Sequence, residues 1–454
     1  MKPQKFKHAF RLITQESFLL SVVAVLLVVF AGSADADFTA TDPGVRGGPQ
    51  GAGGPLPGLT QAQLTFFYAG LDTFNEVESV RGTIPGTGFG LGPRFNLDSC
   101  GGCHAQPASG GTSPFVNPQV AVAGKAGAQN VVPFFITPNG PVREARFKFN
   151  PDGTRDGGVH GLFTISGRLD ARGCSIAQPD FVTAAKSNNL VFRIPTPVFG
   201  AGLIENIPDD VIIQNKNSNP YLKRALGIAG HENRSANDGS ITRFGWKAQV
   251  KSLLVFAGEA YNVEMGVTNE LFPQERDETP GCLFNPLPED HTNYDATLIT
   301  DVSGDIEMFA FFMRLLAPPM PASDSPSIKS GRRLFNQIGC GLCHTPALST
   351  GATLIAALGN QPVNLFSDLL LHHMGKGLAD DIVQGNAGPD EFRTAPLWGL
   401  GQRIYFLHDG RTGDLLEVIA AHKSEGSEAS AVIRNFNSLR ANQKQDILNF
   451  LRSL

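Results

Sequence analysis

The sequence predicts a mainly α fold made of two similar halves, the first enlarged by a β-containing insertion. Three observations predict it. A C-x-x-C-H pattern occurs twice, at Cys100–His104 and at Cys340–His344. An apolar stripe at helical spacing recurs in "GDIEMFAFFMRLLAPP" (304–319) and in the closing "SLRANQKQDILNFLRSL" (438–454). Between about residues 119 and 241, short apolar segments alternate with turn residues in the manner of strands.

The elements follow in chain order. Lys2, Lys5, Lys7 and Arg11 precede the apolar run "FLLSVVAVLLVVFAG" and the small-residue stretch "SADAD". Residues 1–36 therefore read as an export signal, cut near Ala34 or Ala36, which sends the mature chain to the periplasm; an uncleaved anchor is the competing reading. The run is too short and wrongly flanked for a stable membrane span. Residues 37–58, rich in Gly and Pro, read as a flexible lead-in. Residues 59–320 form the first half. Within it "QVAVA", "NVVPFFI", "REARFKF" and "GLFTISG" read as strands and Asn150–Gly153 as a turn, which makes 119–241 the insertion. The proline-rich "PPMPASDSP" is the linker to the second half, 321–454. There a helix carries Gly331 and Phe335 on one face and ends at Gly339, just before the second motif.

Charged residues are 17% of the 454 and the net charge is −5, with no basic stripe, so nucleic acid is not an expected partner. The chemistry lies in the six cysteines. Two residues between paired thiols match the vinyl groups on one porphyrin edge, and the adjacent histidine reaches the iron on the same face. A zinc site needs four ligands, so each motif would have to find a second pair. A thioredoxin-type dithiol has no use for the histidine, and an oxidising compartment suits neither alternative. Two covalently bound haems c are expected, at Cys100, Cys103 and His104 and at Cys340, Cys343 and His344, in two cytochrome c-like haem domains. Cys174 and Cys282 are left over and could form a disulfide.

With both motifs, "GLGPRFNLDSCGGCH", "RFGWKAQVKSLLVFAGEAYNVEMGVTN", "LFSDLLLHHMGKGLAD" and "FRTAPLWGLGQRIYFLHDGR" in view, the chain resembles the di-haem oxidoreductases of peroxidase type. Some of these carry a thiol-oxidoreductase label. They are relatives of bacterial di-haem cytochrome c peroxidases and of the methylamine dehydrogenase maturation enzyme. The resemblance implies that a residue on the helix after "YFLHDG" supplies the second ligand of the C-terminal haem. The relatives have methionine there and this chain has His422, on a helix opened by Asp414 and Glu417 as a capping box. A core histidine with a satisfied hydrogen bond is the alternative. A bis-histidine haem has a lower potential than a His/Met one, because imidazole favours ferric iron.

The resemblance also implies a tryptophan between the haems, Trp246 here, and an acid–base glutamate for O–O cleavage, Glu264 here. Glu205 is a second candidate base, and a surface acid on an amphipathic helix is the competing reading of Glu264. Where the relatives carry a glutamine, this chain has Phe256, which makes the pocket more apolar. His160, His231 and Met265 are possible sixth ligands of the first haem, though surface loops suit the histidines and the core suits the methionine. His372 or His373 could bond a propionate. The relatives' interhaem calcium uses a Thr-x-Pro that is absent from "RIYFLH", which argues against calcium. The expected activity is peroxide reduction at the first haem, fed through the second by a small cytochrome or a quinol-linked donor. A pure electron carrier and an enzyme oxidising a partner protein are the competing functions.

Overall fold

A helix-helix crossing that depends on glycine organises the C-terminal half of the chain. The computed structural model describes residues 39–48 and 51–454, so the export signal lies outside the described residues. Helix Pro326–Ile338 starts where Ser325 Oγ accepts the amide of Ile328, and Pro326 supplies a preset φ. It ends at Gly339, whose φ of +107° a side chain would resist. Its buried face of Gly331, Leu334, Phe335 and Ile338 crosses the closing helix Ala441–Ser453, which buries Ile447, Leu448, Phe450 and Leu451. The backbones meet at Gly331, where a Cβ would stand 1.9 Å from the Asp446 carbonyl oxygen. Gly331→Ala is therefore expected to cost about 3 kcal/mol, read as a lower denaturation midpoint at unchanged slope.

The same device recurs in the first half. Helix Gln61–Asn75 crosses helix Asp305–Leu315 at Gly70, where a Cβ would lie 2.4 Å from the Met308 carbonyl oxygen. Gly70, Phe74 and Asn75 thus repeat Gly331, Phe335 and Asn336. Phe74 packs on Phe312 at 4.8 Å and on His104 at 5.9 Å. Phe335 packs on Phe450 at 5.4 Å and on His344 at 6.2 Å. Each crossing therefore sets an aromatic ring behind the histidine of one C-x-x-C-H motif.

Among the described residues helix outweighs strand, 31% against 11%, and loop takes the largest share, in keeping with the 51 glycines and 31 prolines of the sequence. Of the segments read as strands, "REARFKF" forms one, Glu144–Phe147. It is the centre of an antiparallel sheet between Val159–His160 and Leu190–Arg193, with Ala145 opposite both His160 and Phe192. "GLFTISG" contributes only Phe163–Thr164, paired with Arg94–Phe95 just ahead of the first motif. "QVAVA" is instead a short helix, Gln119–Val122, because Asn117 Oδ1 takes the Gln119 amide and turns the chain. "NVVPFFI" forms no strand, since Pro133 has no N–H for a ladder.

The expected lead-in is held down rather than free. Asp42 pairs with Arg452 at 2.6 Å, both nearly buried, and accepts the Leu415 amide at 2.8 Å. The Leu56 amide donates to the Leu315 carbonyl at 2.8 Å. Cys174 and Cys282 are joined in a disulfide that closes a loop of 108 residues. Replacing both with Ser should lower stability by about 4 kcal/mol through the freed unfolded chain, measurable by guanidinium unfolding with the haem motifs intact. Among the described residues no helix is long and apolar enough to cross a membrane.

Candidate functional site

Two cavities flank the motifs. Cys340, Cys343, His344 and His422 line the first, which holds about 1460 Å³ of empty space, part of it open to solvent. His422 follows helix Leu415–Ala421. Asp414 caps that helix by accepting the Leu416 amide at 2.6 Å and the Glu417 amide at 3.3 Å. The reciprocal half of the expected capping box is absent, because the Glu417 carboxylate accepts the Thr412 hydroxyl instead. Leu415, Val418, Ile419 and His422 line the cavity together, as their spacing requires.

Both imidazoles are anchored in the same way. His344 Nδ1–H donates to the Phe366 carbonyl at 3.1 Å and His422 Nδ1–H to the Val418 carbonyl at 2.7 Å. Burial lowers the pKa of each, and His344, with His422 nearby, is pressed down to about 4. A neutral ring whose Nδ1 carries the proton leaves Nε2 as a bare lone pair, the form that ligates a metal.

Cys100, Cys103 and His104 line the second cavity, of about 1600 Å³, again partly open. His104 Nδ1–H donates to the Gly111 carbonyl at 2.9 Å, and burial keeps this ring neutral too. No other histidine among the described residues lines this cavity. Two carboxyls from distant parts of the chain meet there instead. Glu264, at the end of the helical segment that begins at Leu253, accepts Asn96 Nδ2 at 2.9 Å. Glu144, on the central strand, is paired with Arg146 at 2.7 Å. Burial, with the charge of Glu144 and a hydrogen bond to it, raises Glu264 well above the usual carboxylate range. Against the opposing effect of burial, Arg146 and that bond lower Glu144. One proton is thus held between two carboxyls, on Glu264. Glu144 lies in a segment whose residue pattern shows only strand character.

Trp246 lines both large cavities, and its Nε1 donates to the Ile194 carbonyl at 2.9 Å. Phe256 lines the His104 cavity, as does Met265, whose sulfur lies 3.9 Å from that of Cys100. Glu205 is engaged elsewhere, pairing with Arg314 at 2.7 Å and accepting the Leu253 amide. His160 bonds Asp156 at 2.7 Å and His231 bonds Glu391 at 2.6 Å, both outside the cavities. His372 lines the first cavity between Glu428 at 2.8 Å and Asp368 at 3.0 Å. With Cys343 and Asp368 it forms a cluster of metal-ligand type, which needs a free thiolate at Cys343. Burial pushes Cys100 and Cys340 up to about 12, so as free thiols they are poor nucleophiles.

The sequence profile described as "di-haem oxidoreductase, putative peroxidase" matches residues 150–454. The chain belongs to this di-haem oxidoreductase family. Haem is accordingly the family member's cofactor, and the donor set suits the group: at the wall of each cavity stand two thiols and an imidazole anchored through Nδ1. No curated protein matches the chain. Among solved structures it is similar to hydrazine synthase of Kuenenia stuttgartiensis, at 13% identity over 91% of this chain and 97% of that one, TM-score 0.35. A variant of the diheme peroxidase BthA from Burkholderia thailandensis matches at 14% over 91% and 92%, TM-score 0.37. A MauG-like protein associated with microbial copper homeostasis matches at 17% over 57% and 90%, TM-score 0.31. These likenesses are remote.

Proposed function

We propose that this di-haem family member is an exported c-type cytochrome that reduces peroxide, with two cytochrome c-like haem domains meeting near residue 320. Cys100, Cys103 and His104 would hold one haem, and Cys340, Cys343, His344 and His422 would hold the other. The observation that carries the reading is the contrast between the cavities. One is lined by four imidazoles, of which His344 and His422 each hold Nδ1 on a backbone carbonyl, and such a pair suits an electron-transfer haem. The other offers a single imidazole and, beside it, the proton-sharing pair Glu264 and Glu144.

A haem with an open iron position supplies peroxide binding and electron delivery. The protein's part is proton movement. Ionised Glu144 accepts the proton of the inner peroxide oxygen, and Glu264 gives its own to the departing outer oxygen. Two electrons and two protons then convert one peroxide to two waters. A redox partner protein, a small cytochrome or a quinol-linked donor, feeds electrons through the His344–His422 site, and Trp246 carries them between the cavities. The Cys174–Cys282 disulfide supports an oxidising compartment such as the periplasm.

The test is EPR of the oxidised and the one-electron-reduced holoprotein, before and after stoichiometric peroxide. A high-spin ferric signal consumed by peroxide is the expected result. Two low-spin signals indifferent to peroxide in both states would make the chain an electron carrier instead.

A further inference from the structure

Arg393 and Arg403 stand side by side in the wall of the His344–His422 cavity, and both also line a small cavity against Trp246. Arg403 is 8% exposed. Among the described residues neither guanidinium has a carboxylate partner. The Arg403 side chain makes no hydrogen bond to a described residue, and Arg393 makes one, from Nε to the Gly245 carbonyl at 3.0 Å. Two buried arginines of the other cavity are matched differently: Arg146 pairs with Glu144 and Arg193 with Asp380. Burial pulls both Arg393 and Arg403 down to about 10, and the charge of Arg403 adds to the effect on Arg393. Two like charges held together in a largely enclosed wall are costly unless anions meet them. The guanidinium fork binds carboxylate in a two-pronged fashion.

We propose that Arg393 and Arg403 are the binding site for the two propionate carboxylates of the haem in this cavity, and so turn its propionate edge toward Trp246. This rests on the reading of that cavity as a haem c site. The backbone agrees with such placement, because the Arg393 amide donates to the Trp246 carbonyl at 2.9 Å and locks the arginine strand to the tryptophan. Adding an electron to the haem is easier when its propionate charges are neutralised, so both arginines hold the potential up.

The experiment compares the unmodified holoprotein with Arg393→Gln, Arg403→Gln and Arg403→Lys. Intact mass first counts the haems. A wild-type chain without haem at the second motif overturns the underlying reading, whatever the arginines do. With two haems present, spectroelectrochemical titration should show the His344 haem shifted to more negative potential in both Gln variants, less in Arg403→Lys, and the His104 haem unmoved. Unchanged potentials in both Gln variants overturn the proposal, since a merely structural arginine would alter stability alone. If the Gln variants lose the second haem, resonance Raman of the unmodified protein decides. Propionate bending at the strongly hydrogen-bonded position supports the clamp, and bending at the solvent-exposed position refutes it.

Discussion

Glu264→Gln is expected to lower peroxide turnover by about 10²–10³-fold while both haems remain attached and electrons still reach the first one. The amide keeps the hydrogen bond from Asn96 within reach of its oxygen but can neither hold nor give the proton that the carboxyl shares with Glu144. Stopped-flow mixing with peroxide separates this from a folding defect, because the reduced spectrum of both haems should be unchanged. Glu144→Gln gives the complementary result. It removes the negative charge that helps burial to raise Glu264. The pair works while it carries one proton, so the alkaline limb of the rate profile falls where Glu264 ionises. In Glu144→Gln that limb moves to lower pH. A limb that stays in place would separate Glu144 from the proton chemistry.

The second large effect is expected at His422. His422→Met should keep the C-terminal haem low-spin but raise its potential by on the order of 100 mV, since a thioether favours ferrous iron. His422→Ala should open that iron and add a high-spin ferric signal. In both variants the His104 haem keeps its potential, because His422 lines only the other cavity. Potentiometric titration followed by EPR reads each haem separately. A C-terminal haem indifferent to both substitutions would return His422 to the role of a core histidine bonded to the Val418 carbonyl.

The helices at 305–315, 326–338 and 441–453 were legible because one side of each is apolar at a period that only a helix uses. The partner helix 61–75 carries a different signal: Gly70, Phe74 and Asn75 repeat the spacing of Gly331, Phe335 and Asn336 ahead of the second motif. In "QVAVA", alternation over five residues yields to the Asx turn in which Asn117 Oδ1 accepts the Gln119 amide. Glu144 was beyond reach for a different reason. Its neighbour in the cavity, Glu264, lies far along the chain, held to the segment before the first motif by hydrogen bonds from Asn96. Likewise, nothing local marks Arg403 as lacking an anion. That follows from where the chain returns.

The strap that joins Asp42 to Arg452 has a consequence for biogenesis. A ribosome delivers the first of these residues 410 positions before the second, and helix 61–75 must likewise wait for helix 305–315 before it can bury Phe67 and Phe74. Early segments therefore have no stable partner during synthesis, and the last turn of the chain completes the first. Such a chain stays pliable until it is whole. On the proposed c-type reading, that delay would leave both thiol pairs accessible for haem attachment, and removing the helical turns that carry Arg452 is expected to destabilise the whole fold.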